Sequence, residues 1–321
     1  HTHTHTHTHL HETMVACASP GVLAPNGLIY GIPSSSTSVL IYDPDTDTVD
    51  NTTITGLSSA SYKWAAPQIV GDIIYAVPNL HDTILKINTT SNTADGATIA
   101  VDADASFKWR SSVLASNNKI YGVPLSTTTV LIFDVATETV DVSSITGVGP
   151  GSYSWLGGAQ ANDGRIFCAP RAADGVLIID PDTDTADVTS IVPSATETYK
   201  WGGMVLGSDG LLYGVPYYET TLLIIDPTTN TADTTSVTGL PAGSHKTLSS
   251  VFANGCVISI PLNSGHVLGI DINTYRVQAV YETFLAGTTK YSGGVLANNG
   301  LVYGIPNSAD HMLVIDTHTA A

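Results

Sequence analysis

Short apolar runs and polar turns alternate along this chain with a fixed beat. Met204-Val205-Leu206 is followed by the turn dipeptide Asp209-Gly210, then by Leu211 to Val215, which Pro216 closes. A polar loop leads to Leu222-Leu223-Ile224-Ile225, apolar at every position, and Asp226-Pro227-Thr228 opens a turn into the more polar Thr231 to Val237. Proline cannot donate to a β ladder and marks a strand end, whereas a run without alternation predicts a strand buried on both faces. Asp-Gly suits the positive φ angles of a two-residue hairpin. The unit therefore predicts four strands, with the most polar one outermost.

This unit recurs. Its closing prolines are Pro33, Pro78, Pro124, Pro170, Pro216, Pro261 and Pro306, always 45 or 46 residues apart. The turn dipeptide returns in phase as Asn26-Gly27, Gly71-Asp72, Asn117-Asn118, Asp163-Gly164, Asn254-Gly255 and Asn299-Gly300, and the third run returns from Val39 to Met312. A period near 45 residues with four strands per period predicts a closed ring of β-sheets. The expected fold is all-β, a seven-bladed β-propeller of about four antiparallel strands per blade. Residues 19–321 form a single domain, preceded by an extended N-terminal strand or tail over 1–18. The sixth repeat diverges most, with Tyr275-Arg276-Val277-Gln278 in the slot of the fourth strand. The seventh repeat ends just after its third strand, so the N-terminal segment is expected to complete that blade or to pair with another chain.

Gly27-Leu28-Ile29-Tyr30 followed by Val39-Leu40-Ile41-Tyr42-Asp43-Pro44 resembles the kelch repeat, and the likeness extends over about 300 residues. The kelch double glycine after the second strand is replaced here by Gly-Ile-Pro or Gly-Val-Pro. The resemblance implies a propeller used for protein or carbohydrate binding, and occasionally for catalysis, including lyases with a His and a Glu near the axis. It speaks for fold rather than activity.

Composition narrows the partners. A net charge of −17 argues against a nucleic-acid partner, and no apolar run is long enough to span a bilayer. Few charges and many Ser, Thr and Asn residues fit a secreted protein, and Asn51-Thr52-Thr53 and Asn88-Thr89-Thr90 are glycosylation candidates. Cys17, Cys168 and Cys256 do not form a disulfide framework. The opening HTHTHTHTHLHE puts His3, His5, His7 and His9 on one face of an extended strand. It reads as a tag, a structural strand or a weak metal site. The Asp-rich turns at Asp43 and Asp180 lack the glycine and terminal glutamate of a calcium loop, and no cofactor motif is present.

Alternation of strand direction puts the loop after the second strand and the loop between blades on one face. That face carries His81, Arg171, Tyr217, Tyr218, His266 and His311, together with a recurrent Lys-aromatic pair at Lys63, Lys108, Lys200 and Lys290. One reading is a ring of cations and indoles that grips an anionic sugar or an acidic chain. The other is structural, with each Trp wedged between blades and each Lys paired to a repeat aspartate such as Asp43, Asp180 or Asp226. The functional expectation is a non-catalytic secreted structural protein that self-assembles with copies of itself, as fibre or matrix, by terminal strand addition. A monomeric glycan- or protein-binding propeller using the loop face is the first alternative, and a propeller enzyme such as a lyase the second.

Overall fold

The computed structural model describes residues 6–10, 18–103, 105–281 and 287–317, with backbone alone for 6–10 and 278–281. They form seven four-stranded antiparallel sheets. The first strands are Ala18–Leu23, Trp64–Val70, Trp109–Leu114, Trp155–Gln160, Trp201–Leu206, Thr247–Ala253 and Tyr291–Leu296, and they begin blades 1 to 7. Each touches the first strands of both neighbours, and blade 7 touches blade 1, so the seven close around one axis. Sevenfold repetition in the sequence thus becomes a ring of seven blades.

The seventh blade takes three strands from the C-terminal repeat and its fourth from the other end of the chain. Thr6–Leu10 pairs antiparallel with His311–Asp316, in register from Thr6 opposite Ile315 to Leu10 opposite His311. The seam is therefore closed within one chain.

The core lies in the seams between blades. Second strands such as Leu212–Pro216 are buried throughout, and third strands such as Leu223–Asp226 up to their terminal aspartate. Seven apolar clusters each draw on two adjacent blades: Tyr30, Ile32 and Ile41 of blade 1 pack with Trp64, Leu85 and Ile87 of blade 2, and so on around to blades 7 and 1. Burial on both faces explains why the third runs carry no alternation. Cys168 and Cys256 are buried free thiols within these seams.

Two local expectations change. Five of the hairpins are three-residue loops: Ala24 N bonds Leu28 O, and Gly27 takes φ 84°. The left-handed glycine follows a tight turn instead of sitting within a two-residue turn. Only the turn at Asn254-Gly255 has both residues at positive φ within a two-residue hairpin. The fourth strand is also shorter than expected, Thr231–Asp233 in blade 5. There Asp233 Oδ1 accepts the backbone N–H of Thr235 (2.7 Å) and Ser236 (3.1 Å), which turns the chain away from the sheet.

Candidate functional site at the mouth of the axial channel

The loop after the second strand and the loop before the next blade's first strand do share a face, and they are stitched together there. In blade 2, Lys63 N donates to Ser34 O of blade 1 (2.8 Å), and Lys63 O accepts from Asn79 N (2.8 Å). The same reciprocal pair recurs through Lys108, Leu125, Ser154, Arg171, Lys200, Tyr217, Lys246, Leu262 and Lys290 to Asn307. An unbroken hoop of backbone hydrogen bonds thus runs from blade 1 to blade 7 around the mouth of the central channel.

The lysines of this slot serve the hoop. Lys63, Lys108, Lys200, Lys246 and Lys290 are all buried. Lys63 Nζ donates to the carbonyls of Ser34, Ser36 and Ala60, Lys200 Nζ to Ala173 O, Lys246 Nζ to the carbonyls of Tyr218, Glu219 and Gly243, and Lys290 Nζ to Gly287 O. Lys108 Nζ donates to His81 O and also meets a carboxylate, Asp82, at 3.0 Å. Asp43 and Asp226, expected as partners, instead accept backbone N–H groups of their own turns. Burial lowers the pKa of Lys200, Lys246 and Lys290. The indoles are equally withdrawn: Trp64, Trp109, Trp155 and Trp201 are at most 1% exposed, and each donates its Nε1–H to a carbonyl just before the third strand of its own blade. Neither set lines the mouth.

A different set of side chains lies there. The residue preceding each slot residue is Tyr62, Phe107, Tyr153, Tyr199 or His245 in blades 2 to 6, and four of these five take φ between 51° and 54°. Their rings follow one another at 5.7 Å (Tyr62–Phe107), 6.5 Å (Phe107–Tyr153) and 6.0 Å (Tyr153–Tyr199), and continue through Tyr218 to His245. These spacings are those of edge and offset aromatic contacts. Inside this arc lies Arg171, 7% exposed, its guanidinium 4.8 Å from the ring of Tyr153, 5.0 Å from Tyr199 and 4.6 Å from Tyr217. One terminal nitrogen donates to Tyr217 Oη (3.1 Å), while its buried Nε–H has no hydrogen-bond partner.

Arg110 is the second cation. In every blade the first strand carries a register shift near its start, and in blade 3 it falls just after the opening residue: Trp109 pairs with Pro124, but Ser111 with Val123. Arg110 is the extra residue of this bulge, and a bulge re-aims a side chain out of the ladder. It reaches the channel, where it lines both the mouth, about 600 Å3, and a smaller cavity beneath, about 170 Å3. Burial, and next the charge of Arg171, lower its pKa. Among the described residues neither arginine forms an ion pair. The other basic residues are accounted for differently: Lys86, Lys119 and Arg165 pair with Glu138, Asp184 and Asp163, and Arg276 is exposed. Two enclosed cations without carboxylate partners are costly unless something compensates them.

The opposite side of the mouth is of another character. Blades 1, 2 and 7 line it with Ser19, Ser34, Ser35, Asn79, Asn307 and Ser308. Asn79 is 3% exposed, and its Oδ1 accepts no hydrogen bond from any described residue. His245, beside Tyr217 and Tyr218, has its pKa lowered by burial and next by Arg171.

Of the residues singled out in the sequence, Arg171 and Tyr217 meet at this mouth, with Tyr218 stacked on Tyr217 at 5.2 Å. His81 instead stacks on Trp64 at 4.6 Å and bonds Thr83 Oγ1, beside an outer groove. His266 starts a third strand, and His311 pairs with Asp310 at 2.6 Å. None of these three lines the mouth. Asn88 Oδ1 accepts the N–H of Thr90 and Ser91, and Asn51 is half-buried after its strand. His3 and His5 lie outside the described residues, and His7 and His9 are described by backbone only. Among the described residues no cluster of three possible metal ligands occurs.

Sequence reading passed over Arg110 and the aromatic arc. The signal was there. Stacked by repeat, the slot of Arg110 holds Ser19, Ala65, Leu156, Gly202, Leu248 and Ser292 in the other blades. A single arginine among small and apolar residues marks a departure from the repeat.

Known proteins place the fold and no more. No family model matches the chain, and no curated protein matches it. Among solved structures, a virginiamycin B lyase from Staphylococcus aureus, bound to quinupristin, superimposes with a TM-score of 0.78 at 11% identity, over 98% of this chain and 99% of that one. The extracellular domain of a one component system from B. thetaiotaomicron gives 0.70 at 11% identity, over 97% of this chain and 39% of that one. Hydrazine synthase from Kuenenia stuttgartiensis gives 0.70 at 13% identity, over 97% and 99%. At such identities the likeness shows a seven-bladed propeller shared by enzymes and extracellular domains, without a kelch signature of its own.

Proposed function

We propose that this protein is a non-catalytic, secreted binding propeller that takes a negatively charged ligand into the mouth of its axial channel. The observation that carries this reading is the pair Arg110 and Arg171, enclosed and without a carboxylate partner among the described residues, in a chain of net charge −17. An anionic group reaching both would form charge-assisted hydrogen bonds, the stronger kind. The mouth volume of about 600 Å3 suits a small molecule or the end of a chain. Lyase chemistry, suggested by one structural neighbour, finds less support. The described lining holds His245 but no carboxylate to work beside it, and Glu219 nearby accepts the backbone N–H groups of Thr196 and Glu197. Extracellular neighbours and the hydroxyl-rich composition support secretion. The kelch-like kinship rests on the Gly-x-Ile-Tyr strand and the Tyr-Asp-Pro turn alone.

The test uses the repeat as its own control. Leu occupies the slot of Arg110 in blades 4 and 6, and Asn that of Arg171 in blades 2 and 7, so Arg110→Leu and Arg171→Asn should fold. By calorimetry each should weaken binding of small carboxylates, citrate among them, by roughly tenfold to a hundredfold, as expected for loss of a charged hydrogen bond. Equal affinity in the wild type and the double variant would overturn the reading.

Self-assembly is the second reading, and closure of blade 7 by a strand from the distant N-terminus favours it. The same register could be filled by the N-terminal strand of a neighbouring copy, linking subunits by strand exchange into fibre or matrix. Light scattering of full-length protein and of protein lacking residues 1–14 tests it: oligomers that survive the deletion would rule strand exchange out.

A further inference from the structure

Resting on the anion-binding reading above, we propose that the ligand is a sugar acid, held end-on with its carboxylate down the channel toward Arg110 and its hydroxyls against the serine and asparagine side of the mouth.

Three features converge on this class. The first is the orientation of Arg171. Three tyrosine rings cover its guanidinium at 4.6 to 5.0 Å, and one terminal nitrogen is occupied by Tyr217 Oη. The unpartnered Nε–H remains. A planar carboxylate matches such edge-on donors.

The second is the division of the mouth into two chemistries. Blades 3 to 6 contribute Phe107, Tyr153, Tyr217, His245 and the arginines, whereas blades 1, 2 and 7 contribute Tyr62 and Pro20 but otherwise hydroxyls and amides. Asn79 Oδ1 is a buried acceptor with nothing donating to it. A buried unsatisfied acceptor costs stability, and a ligand hydroxyl would satisfy it. A simple carboxylate brings no donor to that side, and a neutral sugar brings no charge to the other. A sugar acid brings both, and its C–H faces can lie on the aromatic rings.

The third is depth. Arg110, Pro20, Leu248 and Ser292 line both the mouth and the cavity beneath it, so the two are continuous. The lower cavity, about 170 Å3, is lined by Gln68, Ser111, Ser249 and Ser250, and Ser250 Oγ there is buried without a partner. It can hold a head group with bound water. Gly157 also lines this cavity, packed so close to blade 5 that an added Cβ would stand 2.5 Å from Gly202 O.

The experiment compares D-glucuronate, D-glucose, glucose 6-phosphate and cyclohexanecarboxylate by calorimetry. Cyclohexanecarboxylate keeps ring and charge but has no hydroxyls. Wild type should bind glucuronate at least tenfold more tightly than each of the others. Asn79→Leu adopts the residue of blades 3 and 6, Leu125 and Leu262. It should weaken glucuronate roughly tenfold and leave cyclohexanecarboxylate unchanged, the loss expected for one buried hydrogen bond. Cyclohexanecarboxylate binding as tightly as glucuronate would overturn the sugar assignment while leaving an anion site. Tighter binding of glucose 6-phosphate would overturn the carboxylate. Failure of every anion to bind would remove the binding reading itself. The wild-type comparison stands even if Asn79→Leu does not fold.

Discussion

Buried lysines and unpaired arginines do opposite work in this protein. The slot lysines spend N–H donors on carbonyls, Lys108 adding the Asp82 carboxylate, so their charge is absorbed within the rim and holds loops in place. Lys246 shows the case most fully, with three carbonyls at 2.8, 2.6 and 3.2 Å. Lys246→Met keeps the apolar stem and removes the donors, leaving buried acceptors unmatched. Urea unfolding should register a loss of about 2–4 kcal/mol, and a change below about 0.5 kcal/mol would mean that the ammonium is not holding the loop. Arg110 and Arg171 lack such partners, and that lack is what makes them candidates for a ligand. Sequence alone could not separate the two groups, because the acceptors of the lysines are backbone carbonyls, which carry no letter. Arg171 was visible through loop variation. Arg110 was hidden, since only the bulge after Trp109 takes it out of the ladder and into the channel.

Strands were far easier to read than sites. The proline ruler, the turn dipeptides and the unbroken apolar third runs all arise from burial between blades, a demand repeated seven times, so each copy confirms the others. The ends of elements were less legible. The polar fourth runs looked longer than they are because Asp233 and its counterparts capture the following N–H groups through side chains, a competition that hydropathy does not express. The closing strand Thr6–Leu10 was inferred by counting, from a seventh repeat lacking its last strand, and it pairs where the count placed it. Its removal leaves the ladder edge of His311–Asp316 open. Protein lacking residues 1–10 should melt at least about 5 °C lower by circular dichroism, on the scale of a lost edge strand's few kcal/mol. An unchanged melting temperature would show that the strand does not carry the seam.

At the scale of the whole ring, the turn aspartates set the response to acid. The hydroxyls of Thr53, Ser144 and Ser190 hold the carboxyls of Asp50, Asp141 and Asp187 down to about 2, aided by the adjacent backbone N–H groups. A folded-state pKa below the unfolded one gives stability that is complete above about pH 4 and lost as pH falls through about 2. Because these staples sit in three different blades, thermal midpoints should decline between pH 4 and pH 2 as one cooperative transition. A midpoint flat across that range would show that the staples contribute nothing.

The hoop of amide bonds around the mouth has a consequence for exchange. A rim whose described links each tie one blade to the next, from blade 1 round to blade 7, behaves as a fixed aperture: it cannot gape along that arc without loosening its neighbours. Guests of similar girth should therefore arrive at similar rates, and the protein would tell them apart by how long each one stays.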